Sequence, residues 1–292
     1  MSDVLQLLVS GLATGAIYAL AAVGFTLLWQ TSQTINFAQG EFVMVPAFFI
    51  LVAMKGLGLS FWPAVAVGIM VSVVVLGILF KKLMVDPMIR HGVLPLVIAT
   101  IALGLLLRET VKDFYGAEAQ PFPPLAEATT ISIAGAAVSL QSLVVLAVAV
   151  AAVIVLQLFL TRTRTGRSMQ ATAQNPGVAR ILGIPVERMI LLTFVINAGL
   201  TALASVLVTP IYLAKFTNGE WLGLYAFIAA IVGGFNQVRG AIAGGLLLGV
   251  VDNFAAAYLS AAYRSALPLM ILIVVILFRP QGLFGRIEER SV

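Results

Sequence analysis

Apolar residues dominate long stretches of this chain, and short polar segments separate the stretches. A helix needs about 20 apolar residues to cross ~30 Å of hydrocarbon, because each residue rises ~1.5 Å along the axis. The pattern therefore predicts an all-α membrane protein, a polytopic helical bundle with about eight to ten transmembrane segments. The apolar runs lie near residues 4–29, 42–54, 61–80, 92–107, 140–160, 189–213, 222–235, 240–262 and 266–278.

Two of these runs are too short to cross a bilayer alone. Residues 42–54 and 222–235 each offer fewer apolar positions than a spanning helix requires. Irregular backbone at membrane depth is tolerated only where protein or a water-filled cavity covers it. We therefore expect each run to be half of a broken or re-entrant helix joined to its neighbour.

Composition supports membrane insertion. Hydrophobic residues make up 61% of the 292 positions and charged residues 10%, whereas a soluble domain carries about 25% charged residues. The chain has no cysteine, which excludes disulfides and cysteine-ligated metals. Its net charge of +5 comes from basic residues in short loops, so it indicates orientation in the membrane rather than nucleic-acid binding.

The loop charges predict which side of the membrane each loop faces. The loop 81–91 has three positive residues against one acid, and the loop 161–188 has five Arg against Glu187. Because cytoplasmic loops are enriched in Lys and Arg, we expect both loops in the cytoplasm and the more acidic loop 108–139 outside. Counting back through the first three runs then places the N-terminus outside.

Two further segments complete the predicted topology. The C-terminal tail 279–292 is expected in the cytoplasm because it carries Arg279, Arg286 and Arg290. Residues 115–130 are rich in proline, alanine and acids, which suits neither a span nor a helix. This segment is predicted to be an external lid or docking surface, or a simple connector.

The segment 174–183 has the signals of a short helix. Asn175 fits the N-cap, Pro176 the first helical position and Gly183 the left-handed residue after the last turn. Helices below ~12 residues are marginal in water, so two turns would need a surface to dock on. The loop 161–188 is therefore predicted either to receive motion from a soluble motor or to tether two spans. The apolar stripe of the short helix would consist of Val178, Ile181 and Leu182.

Several sequence blocks together resemble one known family. The blocks are TGRSMQATAQNPGVARILGIPVERMILLTFVINAG (165–199), TINFAQGEFVMVPAF (34–48), GLYAFIAAIVGGFNQVRGAIAGGLLLGVVDN (223–253), RPQGLFG (279–285) and the more loosely similar LPLVIATIALGLLL (94–107). They occur in the family's order and cover most of the chain. On these residues the chain resembles the LivH-type permease subunits of branched-chain amino acid ABC transporters.

This resemblance implies an importer of several subunits in the bacterial inner membrane. They would be this permease, a second permease (LivM-like or homologous), two cytoplasmic ATP-binding subunits and a periplasmic substrate-binding protein. Branched-chain or other apolar amino acids would be the cargo, although similar permeases serve urea and short-chain amides. The loop 161–188 would contain the coupling helix that sits in an ATPase groove. The residues matched to that contact are Gly166, Arg167, Asn175, Pro176, Ala179, Arg180, Gly183 and Ile184.

The sequence offers no catalytic constellation. There is no Gly-rich phosphate-binding loop ending in Lys-Ser or Lys-Thr, so ATP hydrolysis would require a partner. His91 is the only histidine, and neither a catalytic set nor a metal-ligand spacing surrounds it. We expect a transport subunit with no cofactor, no metal and no nucleic-acid partner, and an intramembrane enzyme is the least supported alternative.

Ionisable residues inside apolar runs are costly to insert, which makes Glu41 and Asp252 candidates for function. Glu41 ends a polar, Gly-containing interruption between apolar runs, and residues 233–240 form a matching interruption in the second half. Paired broken segments in corresponding halves are a sequence sign of a transport pathway. The predicted pathway residues are Asn36, Phe37, Gln39, Gly40, Glu41, Gly233, Gly234, Asn236 and Asp252.

Other interpretations of the same residues stay open. Both interruptions could be turns at the membrane surface, and Asp252 could share a structural hydrogen bond with Asn253. A stand-alone secondary transporter could use Glu41 or Asp252 as a proton-linked carboxylate. The glycines at helical spacing are explained by close helix packing alone. They are Gly11, Gly15, Gly240, Gly244, Gly245 and Gly249.

Overall fold

The computed structural model describes residues 2–127, 129–133, 135–259 and 266–285. Arg286 and Arg290, which contributed to the predicted orientation of the tail, lie outside the described residues. The helices are α1 Ser2–Ser32, α2 Gln39–Gly56, α3 Phe61–Ile89, α4 Val93–Tyr115, α5 Leu140–Arg162, α6 Arg164–Gln174, α7 Pro176–Ile181, α8 Val186–Tyr212, α9 Asn218–Gly233, α10 Val238–Tyr258 and α11 Ala266–Phe278. Two antiparallel strands, β1 Thr130–Ile133 and β2 Ala136–Ser139, form a hairpin.

Each predicted apolar run forms a helix. Seven of the described helices are long and apolar enough to cross a membrane, namely α1, α2, α3, α4, α5, α8 and α10. The shorter α9 and α11 have 16 and 13 residues. The predicted all-α, polytopic architecture is confirmed. The helix that contains the run 42–54 is longer than the run itself, because the polar residues Gln39 to Glu41 form the first turn of α2 and bring it to 18 residues.

Helix α1 lies at the centre of the bundle and packs along α10 through glycines. A Cβ on Gly15 would meet the backbone at Gly245 and Leu246, and one on Gly249 would overlap the backbone of Gly15. Small residues allow two helix backbones to approach this closely in a membrane. The packing role predicted for the glycines is confirmed along this seam.

Helix α3 contains wide turns. Its backbone is π-helical over Val73–Leu79 and again over Lys81–Val85. In the first of these stretches Gly77 faces α8, where an added Cβ would lie 3.2 Å from the Cα of Val195. Such runs of π-helix are rare, and single wide turns are frequent at functional sites.

The loops gather at two opposite ends of the bundle. At one end, Gln120 and Ala214 exchange backbone hydrogen bonds of 2.8 and 3.0 Å, which joins the loop after α4 to the end of α8. At the other end, the start of α8 meets the end of α3, where Lys81 approaches Glu187. The loops 108–139 and 161–188 therefore lie at opposite ends of the bundle, as the charge pattern predicts.

Helix α4 is longer than its apolar run. The sequence placed residues from Arg108 onward in an external loop, but the helix continues to Tyr115. Charged residues in this last part are stabilised by ion pairs, such as the 2.9 Å contact between Lys112 and Glu109. The apolar run ends at its first charge, but a helix can carry paired charges beyond its apolar part.

Candidate functional site

The break between α1 and α2 is largely buried in the bundle, although Phe37 within it is 45% exposed. Asn36 is 2% exposed, and its Oδ1 accepts a hydrogen bond of 3.0 Å from the backbone N–H of Ala38. The N–H of Phe37 donates to Oγ1 of Thr100 on α4 at 3.2 Å. Protein groups thus satisfy much of the irregular backbone, as a segment at membrane depth requires. The phenyl ring of Phe37 faces Phe227 of α9, with centroids 6.0 Å apart.

A pair of amides joins α2 to α8 beside this break. Nε2 of Gln39 donates to Oδ1 of Asn197 at 2.7 Å, and Nδ2 of Asn197 donates to Oε1 of Gln39 at 3.0 Å. Both residues are fully buried. The pair fits against Gly24 of α1, where any Cβ would collide with both amides. Sequence reasoning selected Gln39 but missed Asn197, which gives no signal in a long apolar helix.

Glu41 is a buried carboxylate beside the break. It is 8% exposed, and its Oε2 has no hydrogen-bond partner among the described residues. Its carboxylate presses against Gly219 at the start of α9, where a Cβ would overlap it. The neighbouring Gly40 lies against Gly219 and Gly223 in the same way. The two helices cross at glycines, and this close crossing holds the carboxylate in the interior.

Two further charges lie near Glu41, and sequence reasoning did not select them. Arg108 Nη1 contacts Glu220 Oε2 at 3.2 Å, which joins α4 to α9. Glu220 directly follows the glycine that touches Glu41, and Arg108 lies one helical turn after Gly104. That glycine faces Glu41, whose Cγ is 3.6 Å from the place of a Cβ. Only the packing of α4 against α2 reveals that these charges share one region.

The second predicted interruption lies elsewhere. Gly233 and Gly240 touch through their backbones in a tight turn between α9 and α10. Gly234 has a φ of 111° and packs on Gly285 of the tail, while Asn236 is exposed and its carbonyl accepts from Gln30 at 2.6 Å. The 14 residues of α9 between Gly219 and Gly233 span ~21 Å. The structure does not bring this turn to Glu41, and the geometry favours the alternative of a turn at the end of the bundle.

Asp252 is fully buried on α10. The hydroxyl of Tyr18 on α1 donates a hydrogen bond of 3.3 Å to its Oδ2. Tyr18 in turn packs against Trp221 and Tyr225 of α9, with ring centroids 6.2 and 5.0 Å apart. The carboxylate thus joins α1 and α10, which supports the structural interpretation. Nδ2 of Asn253, its predicted partner, donates instead to the carbonyl of Gly249 at 3.0 Å.

The predicted short helix is present as α7. Oδ1 of Asn175 accepts from the N–H of Val178 at 3.0 Å, Pro176 begins the helix, and Gly183 follows it with a φ of 79°. The buried Ala179 faces the fold, and its carbonyl accepts from the N–H of Ile184 at 3.0 Å. The opposite surface is apolar and open. Its residues are Val178, Ile181 and Leu182, which are 50, 86 and 72% exposed.

The preceding helix α6 supports α7. Thr163 caps it by accepting from the N–H of Gly166 at 2.9 Å. Gly166 lies against the backbone of Phe159 and Leu160, so the corner between α5 and α6 has no room for a side chain there. Arg167 is exposed on this helix. The residues matched to the coupling contact therefore form one continuous unit from the end of α5 to the start of α8, at the end of the bundle opposite the loop after α4.

A chain of ion pairs connects this unit to α3. Arg180 of α7 approaches Glu187 of α8 at 3.8 Å, and Glu187 approaches Lys81 of α3 at 3.5 Å. Nζ of Lys81 also lies 2.9 Å from Asp86. Arg180 and Glu187 are largely exposed, whereas the side chain of Lys81 is 7% exposed. Lys81 is therefore the buried charge of this chain, and loss of its partner Asp86 would leave that charge poorly compensated.

Comparison with known proteins identifies the family of this chain. Residues 7–276 match the family described as the branched-chain amino acid transport system permease component. The chain belongs to this family. As a member, it is an integral inner-membrane permease subunit of an ABC importer rather than an enzyme, and it works with ATP-binding and substrate-binding partners.

The permease has curated relatives of its own length. LivH of Escherichia coli (strain K12), a high-affinity branched-chain amino acid transport system permease protein, is 31% identical over 99% of this chain and 97% of its own. BraD of Pseudomonas aeruginosa, which has the same description, is 32% identical over 99% of this chain and 98% of its own. The fructose import permease protein FruG of Bifidobacterium longum is 32% identical over 40% of this chain and 37% of its own. No solved structure matches the permease.

Proposed function

We propose that this permease imports branched-chain or other apolar amino acids, driven by ATP hydrolysis in partner subunits whose motion enters through α7. The observation that carries the proposal is the capped two-turn helix with Ile181 and Leu182 exposed at its tip. Exposed apolar groups on a short helix favour a docked partner, because the helix is too short to be stable alone. The cargo follows the names of relatives such as LivH and BraD.

The proposed assembly contains a second permease, LivM-like or homologous, and two cytoplasmic ATP-binding subunits. One ATP-binding subunit receives α7 in a groove, and the contact uses Gly166, Arg167 and the residues from Asn175 to Ile184. A periplasmic binding protein delivers the substrate on the opposite side. Membrane lipid surrounds the outer helices.

The proposed pathway follows the buried break before α2. Asn36, Phe37, Gln39, Gly40 and Glu41 lie together there, and the unpartnered atoms of Asn36 and Glu41 support a polar path. Gly233, Gly234, Asn236 and Asp252 stay predicted pathway residues, although their places in the fold support this role less than those of the first group.

Replacing Gly183 with Val tests the coupling role of α7. The left-handed φ of 79° strains a β-branched residue by ~1–3 kcal/mol, so the end of α7 would unwind. In the full transporter we expect loss of the ATP hydrolysis that substrate-loaded binding protein stimulates, with normal insertion in the membrane.

Gly116→Val is the matched control, because Gly116 has the same φ of 79° and equally open surroundings at the other end of the bundle. It should keep stimulated hydrolysis. Normal stimulation in Gly183→Val would contradict the proposal.

Two alternatives are distinguished by uptake. A stand-alone proton-coupled transporter, favoured by the buried carboxylate of Glu41, would accumulate substrate in vesicles that hold this chain alone under a proton gradient. A permease for urea or short-chain amides would import those solutes in preference to leucine once the ATP-binding subunits are present. The proposal expects uptake of leucine, and only with the partners and ATP.

A further inference from the structure

Glu41, Arg108 and Glu220 lie along one line from the interior to the surface. The side chain of Glu220 is 71% exposed and that of Arg108 is 25% exposed, while Glu41 is 8% exposed at the inner end. The outer end of this line, Glu220, lies in the first turn of α9, six residues from the Ala214 backbone that pairs with the loop after α4. The line therefore opens on the side opposite α7.

The three charges have unused hydrogen-bonding capacity of both kinds. Oε2 of Glu41 is a buried acceptor without a partner, and Nε of Arg108 is a buried donor without a hydrogen bond, 3.7 Å from Glu109. Leaving such atoms unpaired in the interior is costly, and the cost is higher for charged groups. The geometry points to a ligand that brings one cationic donor and one anionic acceptor.

Helix α4 is the wall of this region that can move most easily. Only Leu96, Thr100, Gly104 and Val111 are buried along its 23 residues. Gly104, which covers Glu41, makes an ordinary van der Waals contact with it at 3.6 Å. On the opposite side α9 is locked against α2 by glycines whose backbones touch. Displacement of α4 from α2 would expose Glu41 and Arg108 together.

We propose that Glu41 and Arg108 form a subsite for the zwitterionic head of an amino acid, which enters past Glu220 when α4 moves aside. The α-ammonium group donates to the carboxylate of Glu41, and the α-carboxylate accepts from the guanidinium of Arg108. Both contacts are charge-assisted, and a guanidinium matches a carboxylate in shape. This subsite rests on the proposed amino-acid transport and explains how the path would accept amino acids over neutral amides.

Before a substrate arrives, the same region is closed by its own charges. Glu220 occupies Nη1 of Arg108 at 3.2 Å, and the glycine before it seals the carboxylate of Glu41. Glu220 pairs with Arg108, whereas Oε2 of Glu41 has no hydrogen-bond partner, so an ammonium group can donate to it. Arriving substrate would replace Glu220 at the guanidinium.

The test uses the complete transporter in proteoliposomes with ATP inside and L-leucine-loaded binding protein outside. Glu41→Gln and Arg108→Met remove one charge each and preserve side-chain size. We expect leucine imported per ATP hydrolysed to fall about tenfold or more in each, because a charge-assisted hydrogen bond to the substrate is lost. Arg108→Lys should retain part of the import, since it keeps the charge but not the planar fork.

Asp113→Asn is the matched control. Asp113 lies on the same helix as Arg108, is exposed and forms no ion pair among the described residues, so import per ATP in this variant should stay near that of the unmodified protein. Co-purification of the partner subunits reports assembly. Losses confined to import per ATP, with normal assembly, support the subsite.

Two outcomes would overturn it. One is import per ATP within twofold of normal in Glu41→Gln or in Arg108→Met. The other is a parallel loss of assembly, ATP hydrolysis and import, which would make the cluster a structural ion network. If the unmodified transporter hydrolyses ATP but imports no leucine, the proposed function itself fails, and that result is distinct from both.

Discussion

At the scale of single residues, the amide pair of Gln39 and Asn197 is a reciprocal polar contact in the interior of the bundle. Each side chain donates to the other, and neither has access to solvent. Hydrogen bonds between helices replace the hydrophobic effect as a source of specificity inside a membrane. The pair fixes α2 beside α8, directly next to the buried carboxylate of Glu41.

Replacing Asn197 with Leu should destabilise the protein by about 1–3 kcal/mol, because the buried amide of Gln39 loses its partner. The double variant with Gln39→Leu as well should recover most of that loss, since no unpaired amide remains. Thermal unfolding of the detergent-purified protein measures both. A double variant less stable than Asn197→Leu would show that the amides do not act as a pair.

The residue scale also separates what a sequence can reveal from what it cannot. Glu41 is recognisable because a charge in an apolar run is costly on its own. Asn197 and Arg108 acquire meaning only from helices distant in sequence, on α2 and α9 respectively. A polar residue within an apolar run is visible in the sequence, but its hydrogen-bond or ion-pair partner depends on how the helices pack.

At the scale of elements, α7 and α3 are connected through Lys81. This lysine is nearly fully buried and bonded to Asp86 on its own helix, and it also meets Glu187 beside α7. It begins the second π-helical stretch of α3 and follows the first, in which Gly77 packs on α8. A displacement of α7 would therefore reach a spanning helix through one charged side chain.

Lys81→Met removes that connection and leaves Asp86 and Glu187 without their shared cation. We expect stimulated ATP hydrolysis in the full transporter to fall several-fold more than unstimulated hydrolysis. The reason is that binding of the loaded binding protein is no longer connected to the ATP-binding subunits through α3 and α7. The neighbouring Lys82→Met is the control, since Lys82 is exposed and forms no ion pair among the described residues. Equal effects of the two substitutions would exclude a specific role for Lys81.

Elements were predicted best where local signals are strong. Asn175, Pro176 and Gly183 each satisfy a distinct backbone requirement of α7, so its limits could be read from the chain. The extension of α4 to Tyr115 and the π-helical turns of α3 could not. The pair of Glu109 and Lys112 lies within α4 but beyond its apolar run, and the wide turns of α3 pack against a neighbouring helix. Hydrophobic periodicity encodes neither feature.

At the scale of the whole molecule, the seam between α1 and α10 joins the two ends of the chain. Gly249→Ala should destabilise the protein by about 1–3 kcal/mol, because the added methyl group overlaps the backbone at Gly15. Gly199→Ala is the control, since nothing lies within 4 Å of its added methyl group. Thermal unfolding in detergent compares them, and equal midpoints would argue against a tight seam.

The same seam sets an order of events during biosynthesis. The glycines of α1 reach the translocon first, yet their partner on α10 leaves the ribosome some 230 residues afterwards, a wait of ~10–50 s at ordinary elongation rates. Throughout that interval the glycine face of α1 lacks its helix partner, and only lipid or an insertion factor can occupy it. A nascent polypeptide released before α10 would thus retain an unfilled groove along its first helix.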